Sequence, residues 1–175
     1  MEFTVLGALV AGLVATIVMS AMMKMATAAG LTQMPPMPLV TGAMLSGDRN
    51  TALKLGSVIH YLLMGTVVFG IVYAGVFATV GNASLLTGAL IGLAHGVVVG
   101  AMAMPMMPAM HPRMGAVAQP VGVGAATAAA HDTDEVHLSA PGFFGVRWGA
   151  MTPVGLVVGH VVYGLVAALV YQALV

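Results

Sequence analysis

Four stretches of the chain, residues 4–29, 52–80, 85–107 and 152–175, are apolar for about 20 residues or more, the length an α-helix needs to cross a bilayer. A run of this kind has few other fates, because in lipid every backbone N–H and C=O must be satisfied inside its own helix or a closed barrel. The composition agrees, with 60% hydrophobic and 6% charged residues and a mean hydropathy of +1.04. The chain is therefore read as a single integral membrane domain over residues 1–175, an all-α four-helix transmembrane bundle. Its start imitates a secretion signal at Ala26, Thr27 and Ala28, but Glu2 stands where a basic segment belongs and the apolar stretch is too long. The first span is expected to be retained.

The link over residues 81–84 is short, so the second and third spans form an antiparallel hairpin, and the long loops 30–51 and 108–151 then fall on one side of the membrane. Lys24, Arg49, Lys54, Arg113 and Arg147 all belong to that side. The positive-inside rule assigns it to the cytoplasm of a multi-pass cell-membrane protein with both termini outside. Five basic residues balance five acidic ones, which leaves no basic footprint for nucleic acid. There are no cysteines, so disulfides, thiolate zinc, iron–sulfur clusters and thiol nucleophiles are excluded, and histidine, methionine and carboxylates remain as ligands.

The chain also reads as a duplicated hairpin. A shift of eighty places Gly12 on Gly92, Leu13 on Leu93, Ala21 on Ala101 and Met22 on Met102, and a shift of one hundred places His60 on His160. Two antiparallel hairpins of the same orientation relate through a pseudo-two-fold axis along the membrane normal. His60 and His160 are then equivalent, each about 12 Å into a helix counted from the long-loop side. Gly88, Gly92, Gly96 and Gly100 recur every fourth residue on the third span and form a packing face, within the bundle or toward a second copy or another membrane protein.

Ionisable residues inside a span are costly and face the bundle interior. His60, His95 and His160 are such residues, on the second, third and fourth spans. Methionine supplies 16 of 175 residues, six of them in "AMAMPMMPAMHPRM" at residues 101–114, and "MPPMP" at 34–38 repeats the pattern in the other long loop. Thioethers favour Cu(I), and imidazole suits copper, iron and zinc. The expectation is an intramembrane site of His60, His160, Met22 and Met102, with His95, Met104, Met106, Met107, Met110 and His111 as a secondary or relay set and a methionine-lined mouth. Methionine is also a flexible core filler and histidine a hydrogen-bonding link between helices. The loop "HDTDEVH" at 131–137 could gather a divalent ion or be an ordinary solvated loop, "GAVAQPVGVGAATAAA" before it reads as mobile, and "PGFFGVRWG" suits an interfacial turn. There is no nucleophile elbow, phosphate loop or zincin motif, and no enzymatic role is assigned.

At "MHPRMG", "PGFFGVRWGAMTP", "GHVVYG", "HYLLMGTVVFGIVYA" and "GLAHGVVVGAMAMP" the chain resembles a family of small prokaryotic four-helix integral membrane proteins with no established activity. The resemblance implies a four-helix membrane fold with histidines in three spans, at His60, His95 and His160, and a loop motif at His111, Pro112 and Arg113. Three functions stay open. The first is transition-metal binding with Cu(I) handling or transfer. The second is a b-type haem electron carrier with His60 and His160 as axial ligands and Gly56, Gly65 and Gly164 making room for the macrocycle. The third is a non-catalytic structural or assembly subunit.

Overall fold

The computed structural model describes residues 1–115 and 135–175. Four helices are long and apolar enough to cross a membrane: α1 (Val5–Ala28), α3 (Arg49–Val80), α4 (Leu85–Met110) and α5 (Thr152–Leu174). A short helix, α2 (Met37–Ala43), lies between the first two, and β1 (Met114–Gly115) pairs in parallel with β2 (Leu138–Ser139). A 3₁₀ segment, Phe143–Trp148, precedes α5. The stretch expected to be mobile lies almost wholly outside the described residues.

Two of the long helices depart from α geometry. In α3 residues Val58–Phe69 are π-helical, and in α4 so are Val99–Ala103. A π stretch of this length is rare, since most are single turns. Within the first, the Thr66 hydroxyl donates to Tyr61 O, five residues back, at 2.7 Å. In the second, Met104 N–H reaches back to Val99 O, directly ahead of Pro105. A proline ring clashes with the carbonyl four residues earlier, and the wider turn relieves that clash, so α4 runs on through Pro105 and Pro108 instead of stopping at residue 107.

The chain divides into two compact units, and the long helices contribute to both. The first comprises Met1–Met23, Tyr61–Val97 and Val157–Val175. Its core is built from Ala8, Ala11, Ala15, Ala74, Ala167 and Ala168 with the large rings of Tyr73, Phe77, Tyr163 and Tyr171 between them. Small residues let the backbones meet. A methyl group added at Gly12 would stand 2.7 Å from Gly70 Cα, and one at Gly92 would stand 2.8 Å from Val161 Cα. Such positions admit only glycine, and they set the helix spacing on which the rest of this unit depends. The Tyr163 hydroxyl donates to Gly65 O at 2.9 Å, satisfying a carbonyl of the π stretch.

Between α3 and α4, Gly81 adopts the left-handed conformation at the helix end, and Asn82 N–H returns to Phe77 O at 3.0 Å. This six-to-one bond closes the helix, and the Ser84 hydroxyl then receives Thr87 N–H and starts the next one.

The second unit comprises Lys24–His60 and Val98–Leu156. Here α2 lies against the first turns of α3, with Gly42 on the Ala52 backbone and Gly56 on the Pro38 backbone. Asp48 caps α3 by accepting from Thr51 N at 2.7 Å, which is why the helix starts at Arg49, earlier than its apolar residues suggest. Arg113 donates to Ala43 O and to Glu135 Oε1, each at 2.9 Å. Trp148 is fully buried and its indole N–H donates to Ser139 O at 3.0 Å. Gly142 and Gly145 take positive φ in the "PGFFG" turn, and Phe144, at φ 50°, is the one non-glycine residue to do so among the described residues. Its ring lies on Gly100, where a Cβ would leave no room for it.

Candidate functional site

Within the first unit the spans α4 and α5 carry one histidine each, and the glycines beside His95 decide where its ring goes. Gly92 and Gly96 bring α4 onto the α5 backbone at His160, Val161 and Val157, and a Cβ at Gly96 would be 3.1 Å from His160 Cβ. At that separation the imidazoles of His95 and His160 meet, with centroids 4.5 Å apart and planes at 75°.

Residues of α3 complete the surroundings. Phe69 and Tyr73 are four apart and so share a helix face. The Phe69 ring lies over His95 at 4.2 Å with planes at 33°. The Tyr73 hydroxyl is hydrogen-bonded to His95 Nδ1 at 3.2 Å. Tyr163, one turn beyond His160, meets Tyr73 edge-on at 4.9 Å. The cluster is thus two imidazoles and two phenols, and the only acidic or basic residue in its unit, apart from histidine, is Glu2. A neutral donor set of this kind receives a singly charged cation at lower desolvation cost than a divalent one, since no carboxylate offsets the charge.

The residues expected to form the site fall in both units. His160 and Met22 belong to the first unit, His60 and Met102 to the second. His60 lies in the π stretch of α3, whereas His160 lies in regular α-helix, so the two positions differ in local backbone. The imidazole found beside His160 is that of His95, which the sequence reading placed in the secondary set. Met19, Met22 and Met23 converge on Gly159, with Met23 Sδ 3.4 Å from where its Cβ would be. Met102 is 58% exposed.

The relay set does not line one face. Met102, Met106 and Met110 point outward at four-residue spacing, while Met104 is 1% exposed and Met114 is buried. In the other loop Met34 is buried too, so the "MPPMP" stretch is packed into the second unit instead of lining a mouth. His111 is buried and both its ring nitrogens are used: Nδ1 accepts from Arg113 N–H at 3.1 Å, so Nε2 carries the proton and donates to Val40 O at 2.9 Å. It is a latch between loop and helix. Of "HDTDEVH", His131, Asp132 and Asp134 lie outside the described residues, and Glu135 is taken by Arg113. Among the described residues no three His, Asp or Glu side chains gather.

The room expected for a macrocycle is also filled. Gly56 meets the Pro38 backbone, Gly65 the Thr16 side chain and Gly164 the Gly88 carbonyl. These glycines serve close packing of protein against protein.

Sequence reading missed Phe69, Tyr73 and Tyr163. The available signal was Gly92 and Gly96 flanking His95, which marks a histidine on a close-packed face, together with tyrosines near histidines inside spans, where a buried phenol needs a hydrogen-bond partner. Comparison of the chain with protein families, with curated proteins and with solved structures finds no match in any of the three.

Proposed function

We propose that this is an integral membrane protein that binds a transition metal, Cu(I) above others, between the imidazoles of His95 and His160. The observation that carries the reading is the pair itself, two imidazoles 4.5 Å apart inside apolar spans. Imidazole suits copper, and the absence of a carboxylate in this unit other than Glu2 favours a monovalent ion. Met19, Met22 and Met23 on α1 lie against Gly159, the residue before His160 on α5, and offer thioethers on that side. The haem alternative loses the glycine-lined space it called on, and an ion needs none.

The proposal includes the bundle that holds the pair. Gly12 meets Gly65 and Gly70 while Gly70 meets Ala8, and Gly88 meets Gly164 while Gly96 meets Val157, an order that supports antiparallel neighbours. The five basic residues support a cytoplasmic side for the long loops. A second reading, in which the cluster is hydrogen-bonded packing within an assembly subunit, is favoured by the Tyr73 to His95 bond.

Metal content separates the two. The chain, purified in mild detergent without an affinity metal column after growth with copper and iron, is expected to carry about one copper, lost in His95→Ala with His160→Ala and retained in His60→Ala. No stoichiometric metal in the parent would leave packing as the function of the pair. Loss in His60→Ala with retention in the double variant would return the site to His60.

A further inference from the structure

Among the described residues, chemistry-bearing groups beyond the imidazole pair stand at the outward methionines of α4, at the buried latch of His111, and at the phenols beside His95. The outward methionines of α4 are exposed, and the nitrogens of His111 are both engaged by backbone. The phenols remain, and one of them touches a candidate ligand.

The His95 ring is constrained on two sides. Phe69 covers one face at 4.2 Å, so a half-turn of the imidazole has to pass the phenyl ring. Tyr73, 2% exposed, holds Nδ1 at 3.2 Å, and the same half-turn would replace Nδ1 by a carbon and break that bond. Among the described residues no hydrogen bond is made to Nε2. An imidazole binds a metal through one nitrogen only when the other carries the proton, and histidine ligands ordinarily donate that proton to an acceptor behind them. A phenol oxygen can do both things required here. It donates to Nδ1 when His95 is protonated on Nε2, and it accepts from Nδ1–H when Nε2 holds a metal.

We propose that Tyr73 is the positioning residue of this site: it holds His95 at Nδ1, commits Nε2 to the metal, and accepts the Nδ1 proton in the loaded state. The inference rests on the metal-binding reading of His95 and His160. No proton leaves the protein in this step, because the imidazole proton moves from Nε2 to Nδ1 as the metal takes the Nε2 lone pair. The other titratable groups facing His95 are His160 and Tyr163, both on α5. The Tyr163 hydroxyl is directed to Gly65 O, and the phenol bonded to His95 Nδ1 is that of Tyr73.

The test is Tyr73→Phe in the full chain, with Cu(I) affinity measured by competition with a chromophoric chelator and the protonated nitrogen of His95 read by ¹⁵N NMR of histidine-labelled protein. The expected result is Cu(I) affinity lower by about 10- to 100-fold, the usual effect of removing a partner behind a ligand. The thermal midpoint should stay near that of the parent, and the loaded parent should show His95 protonated at Nδ1. Equal affinity in parent and variant would overturn the inference and leave the metal site standing. A parent that binds no Cu(I) would overturn both. Should the variant not fold, the loaded parent alone decides: His95 protonated at Nε2 would overturn the assignment.

Discussion

The two units solve the same problem, satisfying buried polar groups, by different means. The first contains Glu2 as its only acidic or basic residue besides histidine, and the second contains all five lysines and arginines. In the first, small residues bring backbones into contact, and the few polar side chains bond to one another or to carbonyls of neighbouring spans, as Tyr163 does to Gly65 O. In the second, long side chains reach loop and helix-end carbonyls, as Arg113, His111 and Trp148 do. The contrast is sharpest between two histidines. His111 spends both nitrogens on backbone, while His95 spends one on a phenol. A histidine with both nitrogens engaged is structural, and one with a nitrogen left over has chemistry available.

The largest effect expected from breaking this contrast is at Trp148. Trp148→Ala removes a fully buried indole and its bond to Ser139 O, at a cost of about 3–5 kcal/mol. Hydrogen exchange is expected to rise through residues 24–60 and 135–156 while residues 61–97 keep their protection. Equal loss in both would show that the units do not open separately.

Next comes the glycine contact of the first unit. Gly92→Ala places a methyl 2.8 Å from Val161 Cα, where only backbone movement makes room, at a cost of about 1–3 kcal/mol or more. Gly75→Ala, with nothing within 4 Å, is the matched control and should leave the thermal midpoint unchanged or raise it slightly. Copper content should fall with Gly92→Ala and not with Gly75→Ala.

Much of this was legible in the sequence, and the reasons are specific. The four spans follow from length and apolarity, and the ends of α1 and α5 fall within a residue of where the run of apolar side chains stops. Two boundaries moved because local chemistry overrode hydropathy: Asp48 starts α3 among polar residues, and the π turn carries α4 through two prolines. The site was less legible. Pairing His60 with His160 relied on equal depth in uniform α-helices, and α3 carries a long π stretch around His60. His95 was recognised as a candidate, but its partner is set by contact between α4 and α5, and spacing along one helix does not encode contact between two. Outward and inward methionines of α4 alternate within one motif, which composition cannot separate.

The two histidines give the next prediction. His111→Ala leaves Val40 O and Arg113 N–H without their partner, at a cost of about 1–3 kcal/mol, and should leave copper content unchanged. His95→Ala should do the reverse, abolishing copper while shifting the thermal midpoint less. If both variants lose copper, the distinction drawn from their nitrogens is broken.

The smallest effect belongs to Asp48, where the second unit meets solvent. Its side chain accepts from Thr51, and those hydrogen bonds, with the charge of Lys54 adding to them, hold its carboxyl below the ordinary aspartate value. A group whose pKa is lowered by folding stabilises the folded state above its unfolded value, and that contribution fades as the pH falls through the folded value. Stability should therefore decline on acidification below the ordinary aspartate range, and the part due to Asp48 should vanish in Asp48→Asn, which keeps a capping oxygen without the charge. Because the carboxylate is fully exposed, water and salt screen it, so the difference between parent and variant should shrink as ionic strength rises. Thermal midpoints across an acid series at two salt concentrations measure it. An acid response that persists unchanged in Asp48→Asn would show that the charge at this cap does not carry it.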